Sequence, residues 1–261
     1  MVPASQEPPT DPARPPGSRE MAWAPRVSRL RLADIPSGAI ALNLDGHQVL
    51  GPLQGFGPMW QRTYRVQLSG VKVTPQEVIH DWKANFPSFQ PPENRFYPTL
   101  TGISPGEVLF INTKLPIGPG LPGMIPMKSG VMILYSDEEM FTVMTPEGFP
   151  ISGWNTFSSF TEDGCTVAQV QGLVRTSDPI YEFGFRWMGG EREEDRVWFH
   201  VLDSLAKHWG VNGQVQFHKV LVDPAVQWSY ARNTWKNAAV RTFFYVLASP
   251  FRWIANRLKR A

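Results

Sequence analysis

Apolar and polar residues alternate in "RTYRVQLSG" (62–70), where Tyr64, Val66 and Leu68 interleave with Arg65, Gln67 and Ser69. That period of two predicts a strand with one buried face. The period then lengthens. Thr74-Pro75-Gln76-Glu77 joins a hydroxyl cap, a proline at the first helical position and a glutamate three residues after the cap, the capping box of a helix N-terminus. Ile79, Trp82 and Phe86 follow on one helical face, and Pro87 ends the run. A proline- and aromatic-rich loop, "PSFQPPENRFYP", comes next.

From Glu107 strand patterns come in series: "EVLFINTK", "VMILYS", "MFTVMT", then two long arms around Asp163-Gly164. Turn residues such as Ser136-Asp137-Glu138 and Pro146-Glu147-Gly148 separate them. "TSDP" (176–179) then supplies a cap and a first-turn proline for two helical runs, about 179–188 and 191–209, broken at Gly189-Gly190. In the second run Val197, Val201, Leu205 and Trp209 form an apolar stripe, with Leu202 and Ala206 beside it. The order is strand, helix, irregular segment, about five antiparallel strands and a long helix. This predicts an α+β fold in which a curled meander covers its concave face with the C-terminal helix.

The ribbon around Asp163-Gly164 fixes what faces that helix. A two-residue turn sets Glu162 opposite Cys165. One face then pairs Phe157 with Val170, Ser159 with Ala168 and Asn155 with Gly172, and runs on to Val174. The other carries Ser158–Gln169, Thr156–Gln171, Trp154–Leu173 and Ser152–Arg175. The first face is small and mostly apolar and is expected inward; the second is expected in solvent, Arg175 with it. A slip of one residue would exchange the two. Asn155, Phe157, Val170, Gly172 and Val174 are therefore the expected cavity-lining residues.

The element order, with "MTPEGFPISGWNTFSSF" and "RVWFHVLDSLAKHWG", resembles the helix-grip fold of the START, polyketide-cyclase and birch-pollen-allergen (SRPBCC) superfamily, in its uncharacterised bacterial members. The resemblance spans roughly 62–210. It implies a cavity between curved sheet and long helix, commonly holding a hydrophobic ligand, and fixes no activity. Such members often carry His after the turn glycine, where this chain has Phe149, which weakens any site carried over to that turn.

Composition adds the flanks. Eight of the 25 prolines lie in residues 1–36, a polar segment expected to be disordered. Residues 37–61 form an expected ordered lead-in, 62–222 the helix-grip domain and 223–261 a helical tail. The net charge of +2 hides an asymmetry: residues 224–261 hold seven basic groups and no acid, leaving 18 basic against 23 acidic groups before them. Trp228, Trp235, Phe243, Phe244, Tyr245, Phe251 and Trp253 are interleaved there with Arg232, Lys236, Arg241, Arg252, Arg257, Lys259 and Arg260. This mixture suits an anionic membrane surface slightly better than packing on the domain. Nucleic acid is the least supported partner, for want of a motif. The N-terminus lacks the apolar stretch of a signal peptide, and no run reaches the roughly 18 apolar residues of a membrane span, so the expected location is the cytoplasm, either free or peripheral on the inner membrane face.

Other chemistry is sparse. The single Cys165 permits no internal disulfide and has no activating neighbour in sequence. His47, His80, His200, His208 and His218 form no metal-ligand pattern, and no phosphate or dinucleotide loop is present, so neither metal nor cofactor is expected. Pro146-Glu147-Gly148 could present an acid, but all three residues serve a turn. The stretch "KLPIGPGLPGMIPMKSG" (114–130) reads as an irregular flap, either a covering loop or a lid carrying Leu115, Ile117, Leu121, Met124 and Met127. With no titratable group on the inward face, binding of a hydrophobic or amphipathic small molecule is favoured over a cyclase- or hydrolase-like activity. Assembly with a partner through the tail is a third possibility, and no pattern bears on oligomeric state.

Overall fold

The computed structural model describes residues 22–249 apart from 33–34, 98–101 and 117–123. The strands are β1 (Val49–Leu50), β2 (Met59–Gln67), β3 (Arg95–Tyr97), β4 (Val108–Pro116), β5 (Met124–Ser136), β6 (Met140–Pro146), β7 (Ile151–Glu162), β8 (Cys165–Thr176) and β9 (Gln216–Asp223). The helices are α1 (Pro75–Ala84), α2 (Pro179–Trp187), α3 (Gly190–His208) and α4 (Ala238–Leu247). One antiparallel sheet runs β3-β4-β5-β6-β7-β8-β2-β9, with β1 paired to β6. The meander curls, and α3 grips its concave side. This is the helix-grip architecture that the resemblance implied.

The ribbon has the expected register. Glu162 pairs with Cys165, Phe157 with Val170 and Asn155 with Gly172. Asp163 and Gly164 both adopt positive φ, at 50° and 76°, as a two-residue hairpin of this hand requires. The capping box at Thr74 and the break at Gly189 are also present. Beneath α3, Val201, Leu202, Leu205 and Ala206 are buried with Tyr64, Val66, Ala168 and Val170. Trp82 of α1 meets Phe157 edge-on at 5.3 Å, and Phe157 stacks on Phe141 at 4.5 Å.

Four expectations need correction. Residues 114–130 are not an irregular flap. Leu115 pairs with Ile125 and Pro116 with Met124, so Leu115, Met124 and Met127 lie on a β4–β5 hairpin, where ladder hydrogen bonds outweigh the Pro/Gly composition; Ile117 and Leu121 are outside the described residues. Part of the segment expected to be disordered is ordered. Leu30, only 3% exposed, joins Leu44, Tyr97, Val108, Phe110 and Met132 in a second core on the convex face of the sheet. The composition of residues 1–36 masked a local Leu30–Leu32 alternation; residues 1–21 are outside the described set.

Arg175 is on the outer face, as the register requires, but it is buried. The lead-in at Gly55 and the chain at Ala225 cover it, and it pairs with Asp223 at 2.7 Å. Finally, the helical tail expected from 223 starts later: Asp223 ends an edge strand, Gln216–Asp223, to which the pattern assigned no element, and a 3-10 helix, Trp228–Lys236, precedes α4.

Candidate functional site

A cavity of about 180 Å³ lies between the concave sheet and the N-terminal half of α3. Phe86, Phe96, Val143, Phe157, Val197 and Trp198 make its apolar walls. Leu115 and Met127 of the β4–β5 hairpin line it, as does Phe149 of the β6–β7 turn. Phe185 enters from α2. The elbow at Gly189, with φ 82°, aims that ring, and a side chain at Gly190 would crowd Phe185 and the Gly184 carbonyl. Lys114, which is exposed, lies at the mouth.

Asn155 is one of the buried polar side chains of the lining, with Gln90 and Thr145, which donate to the Phe86 and Gly153 carbonyls. Asn155 is only 6% exposed, it lines the cavity, and its amide forms no hydrogen bond with any described residue. Across the ladder sits Gly172, where any Cβ would fall inside contact distance of Asn155 Oδ1. The glycine therefore makes room for the amide. Of the expected lining residues, Asn155 and Phe157 line this cavity, whereas Val170 is buried in the core beneath α3. Val174 lines a neighbouring cleft of about 380 Å³ with Trp60, Arg62, Glu191 and Lys219. Ile151, Phe185 and Glu194 are common to both spaces.

The inward face is not free of titratable groups, contrary to expectation: α3 brings Glu193 and Glu194 to the cavity wall. Both are already engaged. Arg62, on β2, reaches Glu194 through Nη1 and Glu191 through Nη2 at 2.8 Å, with Asp195 at 3.3 Å. Tyr64 donates to Asp195 at 2.5 Å, and Lys219 pairs with Glu191. Burial raises the Glu194 carboxyl above its ordinary value against the pull of Arg62, and the neighbouring acids push the same way. Glu193, raised by burial, accepts two bonds from Arg196 at 3.1 and 2.5 Å. Glu194 stands one turn before Trp198 and two before Val201, so extending the helix stripe backwards would have found it.

Elsewhere, Glu147 is mostly buried and accepts from Lys236 at 2.5 Å and from the Gln48 amide at 3.2 Å, which ties the tail to the body. Cys165 is half-buried in the hairpin. Among the described residues no three metal-ligating side chains converge, and no helix is long and apolar enough to cross a membrane. In the tail Trp228, Arg232 and Trp235 are exposed, while Arg241 contacts His47. Arg252, Trp253, Arg257, Lys259 and Arg260 lie outside the described residues.

No family model matches the chain, and no curated protein matches it significantly. Solved structures similar to it include the di-domain ARO/CYC StfQ from the steffimycin biosynthetic pathway (10% identity, 58% of this chain and 50% of that one, TM-score 0.41). A START superfamily protein from Mycobacterium smegmatis shares 15% identity over 59% of this chain and 98% of that one, at a TM-score of 0.36. The ginseng major latex-like protein 151 from Panax ginseng shares 14% over 58% and 98%, at 0.35.

Proposed function

We propose that this protein binds a small, neutral, mostly apolar molecule in the cavity under α3, holding one hydrogen-bonding group of the ligand against Asn155. The unpaired amide in an apolar cavity is the observation that carries the reading. The amide opens on the cavity, so a ligand hydroxyl or carbonyl can reach it, and such a hydrogen bond contributes about 0.5–1.5 kcal/mol. Size sets the class: an apolar cavity of about 150 Å³ accepts benzene, so about 180 Å³ suits one ring with a small substituent. Glu193 and Glu194 on the wall disfavour an anion. Their commitment to Arg196 and Arg62 leaves no free acid, which supports binding over acid catalysis.

Phenol and toluene, near-equal in shape, separate the terms in calorimetry. Phenol should bind about tenfold more tightly, the ratio that corresponds to about 1.4 kcal/mol, and Asn155→Leu should reverse the order. Failure of every ring-sized probe to bind would refute the cavity reading. Equal binding of both probes would refute only the role of Asn155.

A further inference from the structure

A different surface carries exposed aromatic side chains. α2 turns Phe185 toward the cavity and presents Ile180, Phe183 and Trp187 on its opposite face, with Trp187 70% exposed. Beside it the 3-10 helix Trp228–Lys236 exposes Trp228 at 74% and Trp235 at 86%. α4 adds Phe243, Phe244 and Leu247. These elements adjoin: Asn237 Nδ2 donates to Asp178 Oδ2 at 2.9 Å, and the Ala239 amide donates to Tyr181 Oη at 3.1 Å. Asn233 Nδ2 donates to the Ser177 carbonyl at 3.0 Å. Large exposed aromatic side chains on adjoining elements mark an interaction surface.

The charges say what it meets. The acids of this region point inward or are paired: Asp178 is fully buried, Glu147 holds Lys236, and Glu182 holds Arg186 and Thr176. Of its cations, Arg232 is exposed, Arg186 is exposed beside its partner Glu182, and Lys236 and Arg241 are held against the body. The chain leaves α4 into residues 250–261, which add Arg252, Arg257, Lys259 and Arg260 with no acid. Trp and Phe beside cations, with the acids withdrawn, complement the headgroup layer of an anionic bilayer.

We infer that the face built by α2, the 3-10 helix Trp228–Lys236 and α4 docks on an anionic membrane surface, inserting its aromatic rings among the headgroups. The docking involves α2 as well as the tail, so the wall of the cavity at Phe185 lies just behind it.

Co-sedimentation of the full chain with vesicles of phosphatidylcholine, alone or with 30 mol% phosphatidylserine, tests this (~30% is a physiological-scale anionic fraction chosen to give a negative surface). The chain should bind the mixed vesicles at low salt. Trp187→Ala with Trp235→Ala should weaken binding about tenfold or more at every salt concentration, because the apolar contribution survives screening. Changing Arg252, Arg257, Lys259 and Arg260 to Gln should abolish the preference for phosphatidylserine. Trp187 and Trp235 are exposed, and an unchanged thermal melt will show that each variant is folded. A chain that ignores mixed vesicles at low salt overturns the inference, as does a tryptophan pair whose removal changes nothing. A dimer by light scattering that becomes monomeric in the tryptophan variant, without vesicle binding, assigns the face to a second copy and also overturns it.

Discussion

The β7–β8 ribbon and the segment 223–249 are both rich in large apolar side chains, but they dispose of them in opposite ways. In the ribbon Phe157, Ala168 and Val170 are buried. In the tail the large rings are outside, while Asn237, Ala238, Ala239 and Thr242 are inside. The tail is docked by small and polar groups. Asn43 Nδ2 donates to Thr242 Oγ1 at 3.0 Å and to the Lys128 carbonyl at 2.7 Å. Gly148 lets the Lys236 carbonyl come so near that no Cβ would fit, at a φ of 85° that itself favours glycine. An apolar residue is buried only where another element covers its face. The ribbon has α1 and α3 to cover it; α4 lies on β5 through its small face alone.

The largest test of this contrast is a pair of truncations. Phe157→Ala removes a ring packed on Phe141, Trp82 and Trp198 and should cost about 3–5 kcal/mol in chemical denaturation. Trp235→Ala removes as large a group and should stay within about 0.5 kcal/mol. Equal losses would mean that the tail's aromatics are core after all. Next in size is Gly172→Leu, which must displace Asn155 and should cost about 1–3 kcal/mol. Gln171→Leu, on the other face of β8, should change stability little, and the reverse ranking would break the register.

Asn237→Ala sharpens the other side of the comparison. Its side chain accepts from the Val240 amide as the cap of α4 and donates to Asp178. Losing the cap should cost about 1 kcal/mol. Because those bonds hold the tail and not the sheet, the effect should appear first as faster proteolysis near residue 237, before any change in the melting of the body.

The same contrast explains what was legible in the sequence. A period of two and an Asp-Gly turn were enough to place Asn155 against Gly172, and so to find part of the cavity. The rest of the lining, Phe185, Glu194 and Trp198, depends on how α2 and α3 cross the sheet, and no local pattern encodes that angle. β9 was missed because an edge strand with mostly exposed residues lacks a buried face to announce it. In 114–130 glycine and proline argued for a loop, but pairing with a neighbouring strand decided otherwise. In the tail, composition revealed the aromatic and basic excess, whereas the direction each ring faces emerged only from the packing of Ala238, Ala239 and Thr242.

The smallest expected effect is one of pH, and it acts through the docking of the tail. His47 is buried beside α4, with Nε2 2.8 Å from Arg241 Nη1 and Nδ1 3.9 Å from Glu147 Oε2. The neutral ring can accept from Arg241; a protonated ring would meet it donor to donor. Burial, then the Arg241 charge, lowers the His47 pKa from its ordinary 6.5, and Lys236 acts in the same direction, while Glu147 opposes them. The folded protein therefore prefers the neutral ring. As pH falls below 6.5 the unfolded chain takes up its proton first, so this contribution to stability is complete above 6.5 and is lost on the way down to the folded value. His47→Gln retains an acceptor for Arg241 and cannot titrate in this range. The wild-type chain should accordingly lose melting temperature and become easier to cleave near residue 237 as pH falls below 6.5, while the variant holds level with respect to that step. The same proteolysis profile in both proteins would show that the tail is held without His47, and that its polar docking rests on Asn43, Asn237 and Lys236.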